Sequence, residues 1–256
     1  MGEALISRLI SLEIFAAEAI AVGDPSAARR QFLKETYGIQ AQDDNAAVLD
    51  DADIVLVAVK PQAFRYIVPN LQAVADQQRS LLLSIMAGTP LATLEAVVPS
   101  WPVIRAMPNT PATIGAGMTA IAPGQLATAA HLQQAQTLFA AVGQVVEVPE
   151  NLMDAVTGLS GSGPGYVAVM IEALADGGVA AGLPRATALA LAVQTVKGTA
   201  ELLQTTDMHP AVLKDRVTSP GGTTIAGITQ LETRGLRSAL IAAVQAACDR
   251  AKALGS

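Results

Sequence analysis

Short apolar runs that each end in small or polar residues constrain the fold of the first half of the chain most strongly. Residues 53–59 read DIVLVAV, a continuous and largely β-branched run that is typical of a strand buried on both faces of a parallel sheet. Similar runs occupy residues 81–86 and 103–107, and helical stretches separate the three. Strands and helices that alternate at this spacing predict an α/β domain built on a parallel sheet.

The segment ahead of these runs predicts one more strand and one more helix. Residues 19–22 form a short apolar run that ends at Gly23. Ser26 is a favourable N-cap residue, and the helical stretch that it opens stops near Gly38. The alternation of strands and helices therefore begins well before the first long apolar run.

The three long runs share a feature that points to a ligand. Each stops in small or polar residues, at positions 58–61, 87–88 and 109–111. In an open α/β sheet, ligands bind beyond the carboxyl ends of the strands. One such loop is weak evidence, because loops after strands are usually polar, but three of them together predict a single ligand-binding crevice.

The character of the sequence changes near Pro149. Glycines interrupt residues 158–165, where Gly163 and Gly165 allow a close helix crossing and Pro164 suits the first turn of the next helix. Long alanine-rich helices fill most of the remainder. They are apolar nearly all round, which indicates more burial than about 100 residues can provide internally. Dimerisation through these helices is the simplest explanation.

Two domains follow from this change. Residues 1–150 are predicted to form the α/β domain, and residues 151–256 are predicted to form an all-α domain that dimerises. Hydrophobic residues make up 51% of the chain and charged residues 15%, which favours a large dry core over disorder.

Charge and cysteine content narrow the partners and the compartment. A net charge of −6 without a Lys/Arg cluster argues against nucleic acid. Charged residues are scattered through the apolar residues 1–22 and 166–203, which argues against a signal peptide and a membrane span. The single cysteine, Cys248, excludes an internal disulfide and favours the cytoplasm. We predict no metal, nucleic-acid or membrane partner.

Near the end of the chain, residues 218–224 read TSPGGTT and can bind an anion with main-chain groups. Pro220 stiffens the turn, and the two glycines after it can point consecutive N–H groups the same way. Thr223 and Thr224 add hydroxyls at the start of the next helix, whose N-terminus favours negative charge. The run by itself fits either an ordinary capped turn or a site for a small carboxylate or phosphate.

Four motifs occur together in the order that one enzyme family has them. They are AVKP at residues 58–61, MPNTP at 107–111, LSGSGP at 159–164 and SPGGTT at 219–224. With these motifs the chain closely resembles Δ1-pyrroline-5-carboxylate reductase, which catalyses the last step of proline biosynthesis. The resemblance runs from Gly2 to about Leu254. It implies a Rossmann-like dinucleotide-binding domain, a helical domain interleaved with that of a second subunit, and homodimers that often assemble into larger rings.

The resemblance also implies a set of site residues. Four of them would hold the substrate carboxylate: Ser219, Gly222, Thr223 and Thr224. Nine would contact the nicotinamide cofactor: Gly2, Asp24, Asn45, Ala58, Val59, Lys60, Pro61, Ala87 and Asn109. Within this second set, Asp24 and Asn45 would lie near the adenosine ribose. NADP is the expected cofactor, and NAD is the alternative.

The chemistry of the implied substrate needs few acid–base groups. A protonated cyclic imine accepts hydride readily, so the enzyme mainly has to fix the carboxylate and place the imine carbon within roughly 3–3.5 Å of the nicotinamide C4. The sequence is correspondingly poor in conventional acid–base residues. Its two histidines lie outside the strongest motifs, and we expect His131 on a helix surface and His209 in a turn. Thr224 is the predicted catalytic residue, as hydrogen-bond donor to the imine nitrogen or to a water beside it.

The start of the sequence departs from the family pattern. The family begins with a strand and a G-x-G-x-x-G turn, and Met1-Gly2 matches only the last two positions of that turn. We expect a start assigned at an internal methionine, with a truncated product of poor cofactor affinity as the alternative. In either case this chain lacks the family's first strand, so the strands that would pair with it are expected to have exposed edges.

Asp24 is the second departure. An acidic residue after the second strand usually bonds the ribose 2′-OH of NAD and repels the 2′-phosphate of NADP. Arg29 and Arg30, on the helix that follows, can offset that repulsion.

Two other functions stay open from the sequence. A 3-hydroxyacid dehydrogenase has the same two-domain plan, but such enzymes carry a lysine on the helix after the second glycine-rich turn, and residues 166–174 contain none. A non-catalytic helical dimer without a cofactor site is supported only by the incomplete fingerprint, and the intact run at residues 219–224 argues against it.

Overall fold

The computed structural model describes residues 1–77 and 79–255, and the chain divides into two compact units. The first unit comprises Met1–Ser162 together with residues 245–255. The second unit comprises Gly163–Val244. The polypeptide therefore leaves the first unit once and returns to it at its C-terminal end.

All the strands of the described chain lie in the first unit. They are β1 (Ala21–Gly23), β2 (Gln40–Gln42), β3 (Ile54–Val57), β4 (Leu81–Ser84), β5 (Val103–Met107), β6 (Gly117–Pro123) and β7 (Gly143–Glu147).

The α-helices of the first unit alternate with these strands. They are α1 (Gly2–Ser11), α2 (Ala27–Tyr37), α3 (Asn45–Leu49), α4 (Phe64–Ala75), α5 (Leu91–Val97), α6 (Ala129–Ala140) and α7 (Met153–Val156). The second unit is helical, with α8 (Gly163–Ala180), α9 (Arg185–Thr206), α10 (Pro210–Arg216), α11 (Thr223–Thr233) and the first half of α12 (Leu236–Gly255). Single helical turns lie at Ala17–Ala19, Pro61–Ala63, Thr110–Ile114, Glu150–Leu152 and, as a π-helical turn, Thr157–Gly161.

The strands form two separate sheets. β1 pairs with β2 in parallel, and the second sheet has the order β3-β4-β5-β6-β7. β3, β4 and β5 are parallel, β6 runs antiparallel to β5, and β7 is parallel to β6. The parallel-rich sheet with flanking helices, followed by a helical region, confirms the predicted class of a Rossmann-like α/β domain and an all-α domain.

The prediction that the first long run is buried on both faces is wrong for most of its length. Ile54, Val55 and Leu56 are only half-buried, and Val57 is buried. β3 is the edge strand of its sheet, whereas β4 lies between two neighbours and is buried throughout. Within the described residues, β1 and β3 each pair on one side only, in agreement with the exposed edges expected from the sequence.

Two apolar layers cover the faces of the five-stranded sheet. One packs α4 and α5 against it; it includes Leu82, and Trp101 is its largest buried side chain. The other packs α1 and α6 against it, with Leu5 and Phe139 beside Leu83. Adjacent residues of β4 therefore face opposite layers, which is the period of two that a strand imposes.

The helix predicted between Ser26 and Gly38 is confirmed at both ends. Ser26 is the N-cap of α2, and its Oγ accepts the main-chain N–H of Arg29 at 3.3 Å. Gly38 ends the helix with a φ of 70°, a left-handed conformation that glycine adopts without strain.

A buried arginine ties the end of the first unit to its sheet. Arg105, on β5, is 5% exposed, and its guanidinium lies 3.4 Å from Oε1 of Glu150 and 3.4 Å from Oδ1 of Asp154. The same Glu150 oxygen accepts the main-chain N–H of Leu91 at the start of α5. A buried charge is tolerated when it is paired and hydrogen-bonded in this way.

In the second unit, α8 and α9 pack on each other through small residues. The buried core residues here are Ala175, Ala188 and Ala192. A Cβ at Gly178 would lie 3.1 Å from the Cβ of Ala188, so Gly178 allows the close approach. The close crossing that Gly163 and Gly165 allow is not found in this chain, because a Cβ there would meet no atom within 4 Å. Pro164 does lie in the first turn of α8, as predicted. In the part of the chain described, no helix has the length and apolarity needed to cross a membrane.

Candidate functional site

The carboxyl end of β3 meets the start of α1. β3 ends at Val57, and the exposed residues Ala58 and Lys60 follow, with Pro61 opening a helical turn. A Cβ built on Gly2 would lie 3.5 Å from the Cβ of Ala58, so these two predicted cofactor residues are adjacent. No side chain caps the N-terminus of α1. Its first main-chain N–H groups therefore stand beside the strand end, where they suit an anionic group.

The carboxyl end of β4 has an unforeseen neighbour. Ala87 is half-buried, and Gly88 after it has a φ of 70°. A Cβ at Gly88 would lie 3.1 Å from the Cβ of Leu254 and 3.4 Å from the carbonyl oxygen of Ala251. The last turn of α12 thus packs on the loop that carries Ala87. Nothing in the sequence pairs these segments, although a glycine at a strand end is a signal of close backbone approach.

Asn109 follows β5, and its side-chain amide joins two other segments. Oδ1 accepts the main-chain N–H of Met118 at 2.9 Å, and Nδ2 donates to the carbonyl oxygen of Ser160 at 3.1 Å. The sequence identified both MPNTP and LSGSGP as motifs. It did not pair them, because they are 51 residues apart and no spacing rule connects a loop with a helical turn at that separation.

The residues predicted near the adenosine ribose lie together beyond β1. Asp24 follows β1, and its Oδ1 accepts the main-chain N–H of Ser26 at 2.8 Å. Asn45 begins α3, and a Cβ at Gly23 would overlap its Oδ1, so the strand end and Asn45 touch. The Asn45 amide donates to Asn70 Oδ1 at 3.4 Å. The structure therefore places Asp24 and Asn45 side by side.

Both arginines near Asp24 make contacts inside the protein. Arg30 donates to the carbonyl oxygen of Asp24 at 2.8 Å and lies 3.3 Å from Oδ2 of Asp43. Arg29 pairs with Glu3 at 2.5 Å and lies over the ring of Phe32. Arg30 therefore stands directly at the Asp24 loop, whereas Arg29 links α2 to α1.

Glu3 is the electrostatic centre of that α1–α2 contact. The hydrogen bonds from Arg29 and from the Tyr37 hydroxyl, the second at 3.0 Å, hold the pKa of Glu3 below its ordinary value of 4.5. Burial, together with the hydrogen bond to Glu3, raises the pKa of Tyr37 above its ordinary 10.0.

In the second unit, the predicted substrate residues form one compact loop. The N–H of Gly222 donates to the carbonyl of Ser219 at 3.0 Å, and Gly221 has a φ of 67°, as a turn with glycine in its third position requires. Gly222 is then the N-cap of α11 and brings no side chain to it. The first N–H groups of α11 precede its own hydrogen-bond ladder and are open to an anion, beside the exposed Thr223 and the half-buried Thr224.

Both histidines have the structural roles predicted for them. Nδ1 of His131 completes a capping box with Thr128 at the start of α6, on the surface. Nδ1 of His209 accepts the N–H of Ala211 at 3.2 Å and so caps α10 at a turn.

Comparison with known proteins connects this chain to one family. A family model described as pyrroline-5-carboxylate reductase dimerisation matches residues 150–254, and one described as NADP oxidoreductase coenzyme F420-dependent matches residues 1–88. The pyrroline-5-carboxylate reductase of a Synechocystis species is 55% identical over 255 residues, which cover 100% of this chain and 95% of the relative. That of Methanosarcina acetivorans is 46% identical and covers 100% and 94%.

Solved structures agree with the sequence comparison. A pyrroline-5-carboxylate reductase from Coxiella burnetii superposes with a TM-score of 0.93 at 32% identity, covering 100% of this chain and 95% of the other. A Plasmodium falciparum pyrroline carboxylate reductase with NADP bound has a TM-score of 0.89 at 32% identity, with the same coverage.

Proposed function

The chain belongs to the pyrroline-5-carboxylate reductase family, and we propose that its two units divide the binding of substrate and cofactor between them. The enzyme is an oxidoreductase that reduces 1-pyrroline-5-carboxylate to L-proline with a nicotinamide dinucleotide as hydride donor. Nothing in the described part of the chain or among its relatives favours a hydroxyacid dehydrogenase or a non-catalytic dimer. We keep residues 1–150 and 151–256 as the proposed functional domains.

The observation that carries the assignment of the substrate site is the uncapped start of α11. The first N–H groups of a helix need partners outside its own hydrogen-bond ladder, which are capping side chains, water or a ligand, and Gly222 supplies no side chain. A substrate carboxylate would take that place, held by the N–H groups at Thr223 and Thr224 and by the hydroxyls of Ser219 and Thr223. Thr224 is then the proposed donor to the imine nitrogen, or to a water beside it.

A pair of isosteric variants tests this site. Thr223→Asp and Thr223→Asn have the same shape and differ by one negative charge at the helix N-terminus. We expect the KM for pyrroline-5-carboxylate to be at least about tenfold higher with Asp than with Asn, because two carboxylates would compete for the same N–H groups. Cofactor affinity should be equal in the two variants. Equal KM values would reject the carboxylate site, whereas absence of reductase activity in the wild type would reject the function itself.

The proposed nicotinamide and pyrophosphate site is formed by Gly2, Ala58, Val59, Lys60, Pro61 and Ala87, at the strand edge where Asn109 also lies. Its residues fit such a group, because the N-terminus of α1 has no side-chain cap and lies beside the small side chain of Ala58. When bound, the cofactor supplies the hydride. The protein supplies small surfaces on which the dinucleotide can lie, and Lys60 adds a positive charge.

We propose NADP as the preferred cofactor, with NAD as the alternative. Arg30 supports NADP because its guanidinium lies at the Asp24 loop, where the 2′-phosphate is expected. Asp24 opposes it, although one of its oxygens is occupied by the N–H of Ser26. Comparison of kcat/KM for NADPH and NADH decides the preference.

We further propose that the enzyme is a cytoplasmic homodimer that assembles into a larger homo-oligomer. The second unit exposes many large apolar side chains, more than a surface of one subunit normally leaves in water. They include Val167, Val169, Leu174, Leu189, Leu191, Val193, Leu202, Ile225, Leu231 and Ile241. The family model that matches residues 150–254 is described by dimerisation, which supports the same assembly. Sedimentation of the purified chain gives the subunit number.

A further inference from the structure

We infer that Asn109 is a positioning residue, whose side-chain amide holds the turn at Ser160 against the carboxyl end of β5. The inference rests on the proposed nicotinamide site, because it concerns the same strand edge. It assigns to Asn109 a task other than contact with the cofactor. The task follows from three observations: the two hydrogen bonds of the amide, the absence of an N–H at Pro164, and the closeness of Gly161 to β5.

The two partners of Asn109 fix the orientation of its amide. The N–H of Met118 needs an acceptor, so Oδ1 must face it, and the carbonyl of Ser160 needs a donor, so Nδ2 must face that. If the amide were reversed, Nδ2 would face the N–H of Met118 and Oδ1 would face the carbonyl of Ser160. Donor would then meet donor, and acceptor would meet acceptor. The half-buried amide therefore connects the start of β6 and the π-helical turn Thr157–Gly161 in one defined geometry.

The sequence explains why the Ser160 carbonyl needs a donor from outside its helix. In an α-helix, this oxygen would accept the N–H of the residue four positions later, which is Pro164, and proline has no N–H. The chain is locally π-helical here, with the N–H of Ser162 bonded to the carbonyl of Thr157. Nδ2 of Asn109 substitutes for the hydrogen bond that Pro164 cannot make.

The same turn lies very close to the end of β5. A Cβ at Gly161 would come within 2.7 Å of Cε of Met107, the last residue of the strand. The polypeptide leaves the first unit directly after this turn, at Ser162. The bond between Asn109 and Ser160 therefore holds this turn against the strand edge at which the nicotinamide is proposed to bind.

This role predicts a separation of turnover from cofactor binding. Hydride transfer requires close alignment of the reacting atoms, and small misplacements lower the rate by up to about 100-fold. If Asn109 contacted the cofactor, its replacement would instead raise the dissociation constant of NADPH. Asn109→Asp keeps the acceptor for Met118 and removes the donor to Ser160, whereas Asn109→Ala removes both.

The test measures kcat, KM and the NADPH dissociation constant of the two variants, together with their melting temperatures. We expect kcat to fall about 10- to 100-fold in both variants, and the NADPH dissociation constant to change less than about twofold. A matching rise in that constant would overturn the inference in favour of a cofactor contact. A lower melting temperature with unchanged kcat would overturn it in favour of a structural role alone. Turnover by the wild type, in the same assay, reports separately on the proposed function.

A third variant tests the Ser160 carbonyl itself. Pro164→Ala introduces a main-chain N–H four residues after Ser160, and its effect is measured alone and combined with Asn109→Ala. Asn109→Ala should lower kcat by a smaller factor in the Pro164→Ala background than in the wild type, because the new N–H at residue 164 bonds the Ser160 carbonyl in place of Nδ2. Strict additivity of the two losses would show that Asn109 does not act through this carbonyl and would overturn the inference.

Discussion

The main-chain N–H of Gly222 donates to the carbonyl oxygen of Ser219 at 3.0 Å and closes the turn that precedes α11. Within this turn, Gly221 has a φ of 67°. A residue with a side chain pays about 1–2 kcal/mol for that conformation. We expect Gly221→Ala to raise the KM for pyrroline-5-carboxylate by about fivefold or more, because the turn that presents the N–H groups of α11 is then less populated.

A matched glycine controls for the added methyl group. In this chain, a Cβ at Gly221 or at Gly227 would meet no atom within 4 Å, so neither alanine is excluded by space. Gly227 lies inside α11, where alanine is favoured by about 1 kcal/mol. Gly227→Ala should therefore leave the KM unchanged. If both variants behave alike, the left-handed turn is not what the substrate site needs.

Arg105 gives a prediction about stability. Removing its side chain leaves Glu150 and Asp154 without their buried partner, and loss of one member of a buried ion cluster costs about 3–5 kcal/mol. Because the two carboxylates are partly exposed, we expect Arg105→Ala to lower the free energy of unfolding by about 3 kcal/mol in urea titrations. Arg65→Ala removes an exposed arginine and should change it by less than about 0.5 kcal/mol. Similar values for the two would contradict a structural role of the cluster.

Local sequence signals predicted the elements that depend on a single segment. The central strands β4 and β5 and the capped helix α2 follow from continuous apolar runs and from Ser26 and Gly38, where neighbours in the chain decide the outcome. The turn at Gly221 follows from Pro-Gly-Gly for the same reason. The burial of β3 was predicted wrongly, because it depends on which strand lies beside it and not on its own residues.

Contacts between distant segments could not be predicted in this way. β6 carries small residues such as Gly117 and Ala120 in place of a β-branched run, so its sequence does not stand out as a strand. The approach of Leu254 to Gly88 and the bond from Asn109 to Ser160 join segments that have no common pattern. For the candidate site, the sequence therefore predicted the residues at each strand end and not the bonds that hold them.

Glu3 predicts how stability depends on pH. Its pKa is lowered in the folded protein by Arg29 and Tyr37, so the ionised carboxylate stabilises the fold above pH 4.5, and that contribution is lost as the pH falls through the lower, folded value. Glu3→Gln should cost less than about 1 kcal/mol at neutral pH, since the pair is partly exposed. The difference from wild type should shrink below pH 4.5. Glu18→Gln, at an exposed position outside the cluster, is the control, and a pH-independent difference for Glu3→Gln would contradict this role.

Asp24 predicts a change in cofactor preference. Asp24→Asn keeps an oxygen for the N–H of Ser26 and removes the charge that repels a 2′-phosphate. Two exposed charges about 4 Å apart interact by about 1 kcal/mol, which corresponds to about fivefold. We expect kcat/KM for NADPH relative to NADH to rise by about that factor. Asp76→Asn, an exposed substitution outside the site, should leave the ratio unchanged. A lower ratio in Asp24→Asn would mean that Asp24 does not face the 2′ position.

Thr224 provides the most direct test of the chemical step. A donor that assists proton transfer to the imine nitrogen contributes about 10²–10⁴ in rate, so Thr224→Ala should lower kcat by at least about 100-fold, with cofactor affinity nearly unchanged. Thr224→Ser keeps the hydroxyl and should retain kcat within about tenfold. Because alanine is the better helix former at the start of α11, loss of activity in Thr224→Ala cannot be attributed to a weaker helix. Equal losses of turnover and cofactor affinity would contradict the proposed role, and equal kcat values for the Ala and Ser variants would show that the hydroxyl is not the donor.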